Sequence, residues 1–366
     1  MGAIVKIIRK KIKFLIFLSS LVFIISGCSK QDSKKADINK DTYKIAMVTD
    51  LSGVNDQSFN QSAWEGLQSL KEELGGKVEV SYTEPKQSSD YTLILDRLSD
   101  KDYNLIYGIS FSLGDAVYET ALLNLDKNYV LVDSSYGKDT PNNVTCITFC
   151  SQESAFLVGY IAGKVTKSNK IGFIGGQRSE IIDQFEYGFK AGVSYAAKEL
   201  NKNIDVLSQY AESFSDVAKG KAIGSKMYSN GCDIIFQAAG GTGYGVIEAA
   251  KENGKFVIGV DRDQSDIAPE NVLTSALKNV NKAVNLVSKK MIEREDILGK
   301  TLVFGIKDNC VGIPKDYRLM GKEVYNSAIK LEKNIKDGNI EVNGKVLNIP
   351  FSKETYSNYL EKLNRF

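Results

Sequence analysis

The chain has 366 residues, 47 Lys and Arg against 45 Asp and Glu, and no histidine. Without an imidazole there is no Ser-His-Asp or Cys-His hydrolase, no usual zinc site and none of the commonest general base. Hydrophobic content of 43% and charged content of 25% fit a folded soluble protein, and the length suggests two domains rather than one core.

The first predicted element is a leader. Residues 1–13 carry Lys6, Arg9, Lys10, Lys11 and Lys13 with no acid, and a twelve-residue, mostly apolar run follows from Phe14 to Ile25. That run is shorter than the roughly 20 residues a membrane-spanning helix needs. A basic start, a short apolar core and small residues at its end read as an export signal over residues 1–27. Ile25-Ser26-Gly27-Cys28 resembles the lipobox of bacterial lipoproteins, in which the cysteine sulfur is diacylated and the chain is cut before it. The alternative is an ordinary signal peptide that happens to precede a cysteine. Without the five leader bases the balance is 42 bases to 45 acids, about −3. That is not the basic face nucleic acid requires. Residues 28–43 are polar and charged, and read as a flexible spacer between lipid and fold.

From Lys44 short β-rich runs alternate with helical stretches. Strands are expected at 45–49, 78–82, 105–109, 129–132, 144–149, 171–174, 204–209, 233–237, 256–260 and 272–276. Helices are expected at 59–74, 154–166, 180–201, 215–230 and 245–253, with helix, strand and helix again past Lys278. Such alternation predicts an α/β protein of two lobes, each a parallel sheet flanked by helices, with a cleft between them. Right-handed crossovers put every strand-to-helix loop along one sheet edge, where these folds bind ligands. The expected division is an N-terminal lobe over 44–150 with return segments from about 277–320, and a C-terminal lobe over 151–276. Residues 321–366 are expected to pack across the lobes. Cys146, Cys150, Cys232 and Cys310 form no C-x-x-C motif and read as buried thiols rather than a disulfide framework.

Four strand ends carry candidate chemistry. After the first strand comes Thr49-Asp50-Leu51-Ser52-Gly53-Val54-Asn55-Asp56-Gln57-Ser58-Phe59-Asn60. Asp56 or Ser58 can cap the following helix. Phe59 and Asn60 can instead stack on a flat ring and bond its edge, with Asp50 as an acceptor facing the cleft. The run DIIFQAAGGTGYG, residues 233–245, misses the G-x-G-x-x-G spacing of dinucleotide folds. It remains a turn that brings backbone close to a ligand, or a purely steric one. In VIGVDRDQ, Asp261 ends an apolar strand and can grip adjacent sugar hydroxyls or cap its own loop, with Asp263 and Gln264 as solvated neighbours. Lys278 ends a further strand, where it can neutralise Asp261.

Together the stretches VTDLSGVNDQSFNQSAWEGL, ESAFLVGYIAGKVTK, KIGFIGGQRSEIIDQFEYGFKAGV, DIIFQAAGGTGYGVIEAAKENG, VIGVDRDQ and VLTSALKNV resemble the basic membrane lipoprotein family, nucleoside-binding lipoproteins of ABC transport systems. The resemblance covers residues 44–310 and implies the two-lobed type I periplasmic-binding-protein fold. By this resemblance Phe59 and Phe185 would close on the two faces of a purine or pyrimidine, while Asn60 and Asp50 read its edge. Gly240 and Gly241 would bring backbone near the ribose, Asp261 and Lys278 would bond it, and Asp133 would be a further acid beside it. The implied partners are a nucleoside, the permease subunits and the membrane that holds the Cys28 lipid; a monomer without cofactor or metal is expected. The competing readings are a surface adhesin or receptor on the same fold, and an enzyme using an Asp50, Asp56 and Asp261 cluster.

Overall fold

The computed structural model describes residues 42–338. The leader, Cys28, the spacer up to Asp41 and residues 339–366 lie outside the described residues. In chain order the main elements are β1 (Tyr43–Val48), α1 (Phe59–Leu74), β2 (Val78–Thr83), α2 (Asp90–Ser99), β3 (Leu105–Ile109), α3 (Gly114–Leu123), β4 (Asn128–Val132) and β5 (Val144–Phe149). Next come α4 (Ser151–Val165), β6 (Lys170–Gly175), α5 (Glu180–Leu200), β7 (Asp205–Tyr210), α6 (Val217–Ser229), β8 (Ile234–Ala238), α7 (Gly241–Asn253), β9 (Phe256–Asp261) and β10 (Val272–Lys278). The described chain closes with α8 (Val280–Ile292), β11 (Thr301–Phe304), β12 (Val311–Gly312) and α9 (Lys322–Lys336).

The strands form two six-stranded sheets, β11-β5-β4-β3-β1-β2 and β12-β10-β9-β8-β6-β7. Every pairing is parallel except β10 with β12. The expected α/β class with two parallel sheets is what the chain adopts. Parallel strands covered by helices on both faces must be apolar on both faces, and all five residues of β3 and of β8 are buried. Each sheet repeats the order of a doubly wound fold, with its direction of growth reversing between β1 and β3 in one and between β6 and β8 in the other. Ligand crevices form where the order reverses, beyond the carboxyl ends of the strands.

The chain crosses between lobes more than once. β5 runs into α4, which packs along α5 of the second lobe. After β10, α8 returns to lie on α1, where its Val284 carbonyl and Ser288 hydroxyl bond the Tyr107 hydroxyl at 3.2 and 2.7 Å. β11 then joins the first sheet, β12 the second, and α9 rests on α4. The glycine-rich run after β8 turns helical at Gly241 rather than at Gly245, where sequence pattern places the start. Close packing of α7 on α6 decides this: a Cβ on Gly245 would stand 1.9 Å from the Val217 carbonyl oxygen, so only glycine allows the approach. Cys146, Cys232 and Cys310 are buried free thiols, and Cys150 is only partly covered.

Candidate functional site

The carboxyl ends of both sheets meet at one cavity lined by Asp50, Ser52, Asp56, Phe59, Ser110, Phe111, Asp133, Ile181, Ile182, Phe185, Phe214, Ala238, Gly240, Val260, Asp261 and Lys278. The loops after β1 and β3 supply one wall; those after β6 and β8 supply the other. Backbone geometry aims them. Ser110 after β3, Asp133 after β4 and Asp261 at the end of β9 have φ of 118°, 64° and 65°. A side chain with a Cβ seldom takes such angles, and clusters of them mark sites where the surroundings hold the chain against its preference. Gly240 turns at φ 54° without that penalty.

The first loop is organised around Asn60. Its Nδ2 donates to Asp50 Oδ1 at 2.9 Å and to Asp56 Oδ2 at 3.0 Å, and its Oδ1 accepts from the Asp50 amide at 3.2 Å. Asp56 caps α1 from outside: Oδ1 accepts from the Ser58 and Gln61 amides, and Oδ2 from the Asn60 amide. Ser58, at the N-cap position, makes no side-chain cap; its hydroxyl donates across the cleft to Asp261 Oδ2 in a short 2.5 Å bond. Burial pushes the Asp56 carboxyl up to about 6 despite those three amides, and burial also raises Asp50.

Lys278 is only 3% exposed. Its ammonium lies 2.5 Å from Asp133 Oδ2 and 3.5 Å from Asp261 Oδ1. Burial pulls this lysine down, but the two carboxylates outweigh it and its pKa stands above the ordinary value. The same ammonium sits 4.4 Å from the Phe59 ring centre and 5.6 Å from those of Phe149 and Phe185, a cation–π arrangement. Burial raises Asp133 as well, with Lys278 opposing and Asp261 reinforcing. Its Oδ1 is buried and has no hydrogen-bond partner among the described residues. Among the described residues four carboxylates and one cationic side chain thus line this space, and the free volume is about 50 Å³. Typical ligand sites run to ~300–1,000 Å³, and two grooves that share some of its lining residues, of about 330 and 510 Å³, adjoin this cavity.

Of the residues singled out from sequence, the cavity brings together Asp50, Phe59, Asp133, Phe185, Gly240, Asp261 and Lys278. Phe185 is also a core residue, 1% exposed and edge-to-face with Phe236 at 6.0 Å. Asn60 is fully buried behind the wall, holding two of the acids, and Gly241 faces a neighbouring groove with Tyr244. Gln264 is not solvated but 1% exposed. Among the described residues no acidic or thiol side chains converge as a metal-ligand set; Asp50 and Asp56 share Asn60 instead. Sequence reasoning missed Ser110, Phe111 and Phe214. Ser110 and Phe111 directly follow an all-apolar strand, as Asp133 does, and that position was the available signal. Phe214 lies in a polar loop, GluSerPheSerAsp, much as Phe59 does in its own.

Two lobes of the same strand order close a polar and aromatic cavity at their switch points, a two-lobed α/β fold that solved solute-binding proteins share. A crystal structure of ABC transporter solute-binding proteins from Aeropyrum pernix K1 shares this fold, with a TM-score of 0.77 over 88% of this chain and 98% of that one at 24% identity. The model of the family described as ABC transporter substrate-binding protein PnrA-like matches residues 43–345, and the chain belongs to that family. It is a family of transport-system binding proteins, not an enzyme family. Basic membrane protein A of Borreliella burgdorferi is 38% identical over 356 residues, 96% of this chain and 99% of that one. The ABC transporter nucleoside-binding protein BmpA of Lactococcus lactis subsp. cremoris is 40% identical over 344 residues, 88% of this chain and 96% of that one.

Proposed function

We propose that the protein captures nucleosides between its lobes, outside the cytoplasm, and hands them to an ABC-type permease while a lipid on Cys28 tethers it to the membrane as a monomer. The observation that carries this reading is the mixed character of the cavity. Phe59, Phe111, Phe185 and Phe214 supply flat apolar surface, and Asp133, Asp261 and Lys278 supply paired acceptors and a donor beside it, with the ammonium 4.4 Å from the Phe59 ring centre. A planar base joined to a hydroxylated sugar uses both kinds of surface at once. Base stacking on protein rings contributes about 1–3 kcal/mol per contact. Carboxylates that accept from ribose hydroxyls disfavour ligands lacking them, since a buried acceptor would be left unpaired. The 40%-identical relative named as nucleoside-binding supports the same ligand class.

The cavity's charge also selects against phosphate. Lys278 is already shared between two carboxylates, so a phosphate group would meet a surplus of negative charge, and such like-charge contacts cost several kcal/mol. Calorimetric titration with adenosine, inosine, uridine and adenosine 5′-monophosphate tests the reading. At least one nucleoside is expected to bind stoichiometrically, with the monophosphate about 100-fold weaker or worse. Phe59→Ala is expected to lose tenfold or more in affinity while the protein stays folded. Binding of a simple sugar with no response to any nucleoside overturns the assignment.

A further inference from the structure

Two hydrogen bonds cross the cleft side by side, one ending on the cavity carboxylate Asp261 and one outside the cavity. Gln57 and Ser58 are neighbours on the first-lobe loop before α1; Asp261 and Gln264 lie on the second-lobe segment at the end of β9. Ser58 Oγ donates to Asp261 Oδ2 at 2.5 Å, and Gln264 Nε2 donates to the Gln57 carbonyl at 2.9 Å. The remaining bonds of Gln264 stay in its own lobe. Its Oε1 accepts from the Val260 amide at 3.0 Å and from Gln237 Nε2 at 2.8 Å, and its amide donates to Ser275 Oγ at 3.2 Å. One lobe thus fixes this side chain completely and leaves a single donor aimed at the other. The receiving carbonyl belongs to Gln57, whose φ of 55° is disfavoured for a residue with a Cβ. Nearby, Ser52 Oγ donates to the Phe214 carbonyl at 3.1 Å and Arg262 approaches Glu65 at 3.6 Å, two further links across the cleft.

We propose that Gln264 is a positioning residue for capture: with Ser58 it forms a clasp that holds the lobes together and seats the Asp261 carboxylate, and so sets how long a ligand stays bound. The proposal rests on the cleft being the ligand site. Gln264 does not line the cavity, so it acts on the ligand only through closure. A bond made only in the closed state shifts the equilibrium toward that state whatever fills the cleft. Apparent affinity scales with the population of the competent form.

Gln264→Glu tests this because the new side chain keeps an oxygen for Val260 and Gln237 but turns the donor to Gln57 into a second acceptor and, when ionised, a buried negative charge. Stopped-flow binding of inosine at neutral pH is expected to show Kd raised about tenfold or more, because the Gln57 carbonyl loses its donor and meets an acceptor instead, with the change in the dissociation rate and association within about twofold. As pH falls and the new carboxyl protonates, it can donate again, so the ratio of variant to wild-type Kd is expected to shrink. A merely structural role predicts no such recovery. Small-angle scattering of the ligand-free proteins is expected to show a larger radius for the variant. Ser58→Ala, which breaks the neighbouring bond alone, is expected to enlarge the radius too and serves if Gln264→Glu does not fold. Should wild type bind no nucleoside, the proposed function falls, yet scattering still decides the clasp. Identical scattering for wild type and variants, or an altered Kd with an unchanged dissociation rate, overturns it.

Discussion

Asp56 shows how one side chain serves two demands. It caps α1 through three backbone amides and also lines the cavity, where burial holds its carboxyl protonated up to about 6. The unfolded chain releases the same proton near 3.8. Between those values the folded state binds more proton than the unfolded state, so stability falls as pH rises through that window. At about 1.4 kcal/mol per pH unit the loss from this group is about 3 kcal/mol. Urea unfolding followed from pH 4 to 6 is expected to show the decline in wild type and a flatter curve in Asp56→Asn. Equal slopes in the two proteins would remove Asp56 as the source. The residue's position on the loop after β1 was legible in sequence as a cap. Its nearness to Asp50 showed there only as part of an acidic cluster; the bridge that Asn60 makes between the two acids exists only once the loop has folded back.

At the scale of elements, propensity and packing conflict in α7. Three of its first five residues are glycine, each unfavourable in a helix by about 0.8–1 kcal/mol, and pattern alone delays the start to Gly245. The crossing with α6 decides otherwise, since Gly245 must admit the Val217 carbonyl. In an uncrowded helix Gly→Ala stabilises by about 0.5–1 kcal/mol. Gly245→Ala is expected to destabilise instead, by about 1–3 kcal/mol as in other overpacked cores. A thermal or denaturant melt giving a more stable variant would show that the helices can part without loss. Strand existence was far easier to read. β3 and β8 are short uninterrupted apolar runs between turn residues, and burial on both faces imposes that pattern directly. No sequence repeat announces that both sheets share one strand order, because topology constrains which positions are apolar and not which apolar residue fills them.

At the scale of the whole molecule, the proposed lipid anchor and the ligand cleft make separate predictions. Residues 42–338 bury their own core, with Ile45, Met47 and Leu67 fully buried in the first lobe and Phe173, Phe236 and Ile258 in the second. A lipid on Cys28 would add only effective concentration near the permease. Cys28→Ser is therefore expected to move the protein from the membrane fraction to the soluble or secreted one, with nucleoside Kd unchanged within twofold. Retention of the variant in the membrane fraction would contradict the lipid anchor.

By itself the sequence determined the class of fold, the edge at which chemistry gathers, and the acids and aromatics that stand at strand ends. Period, turn residues and strand termini are local properties, so they survive in a linear reading. Only the tertiary structure decided which of those residues share a cavity, that Lys278 also pairs with Asp133, and that Gln264 reaches across the cleft rather than into water. These two contacts join positions 145 and 207 residues apart and are set by how the two sheets meet, whereas the Lys278–Asp261 pair, 17 apart, follows from β9 lying beside β10 in one sheet.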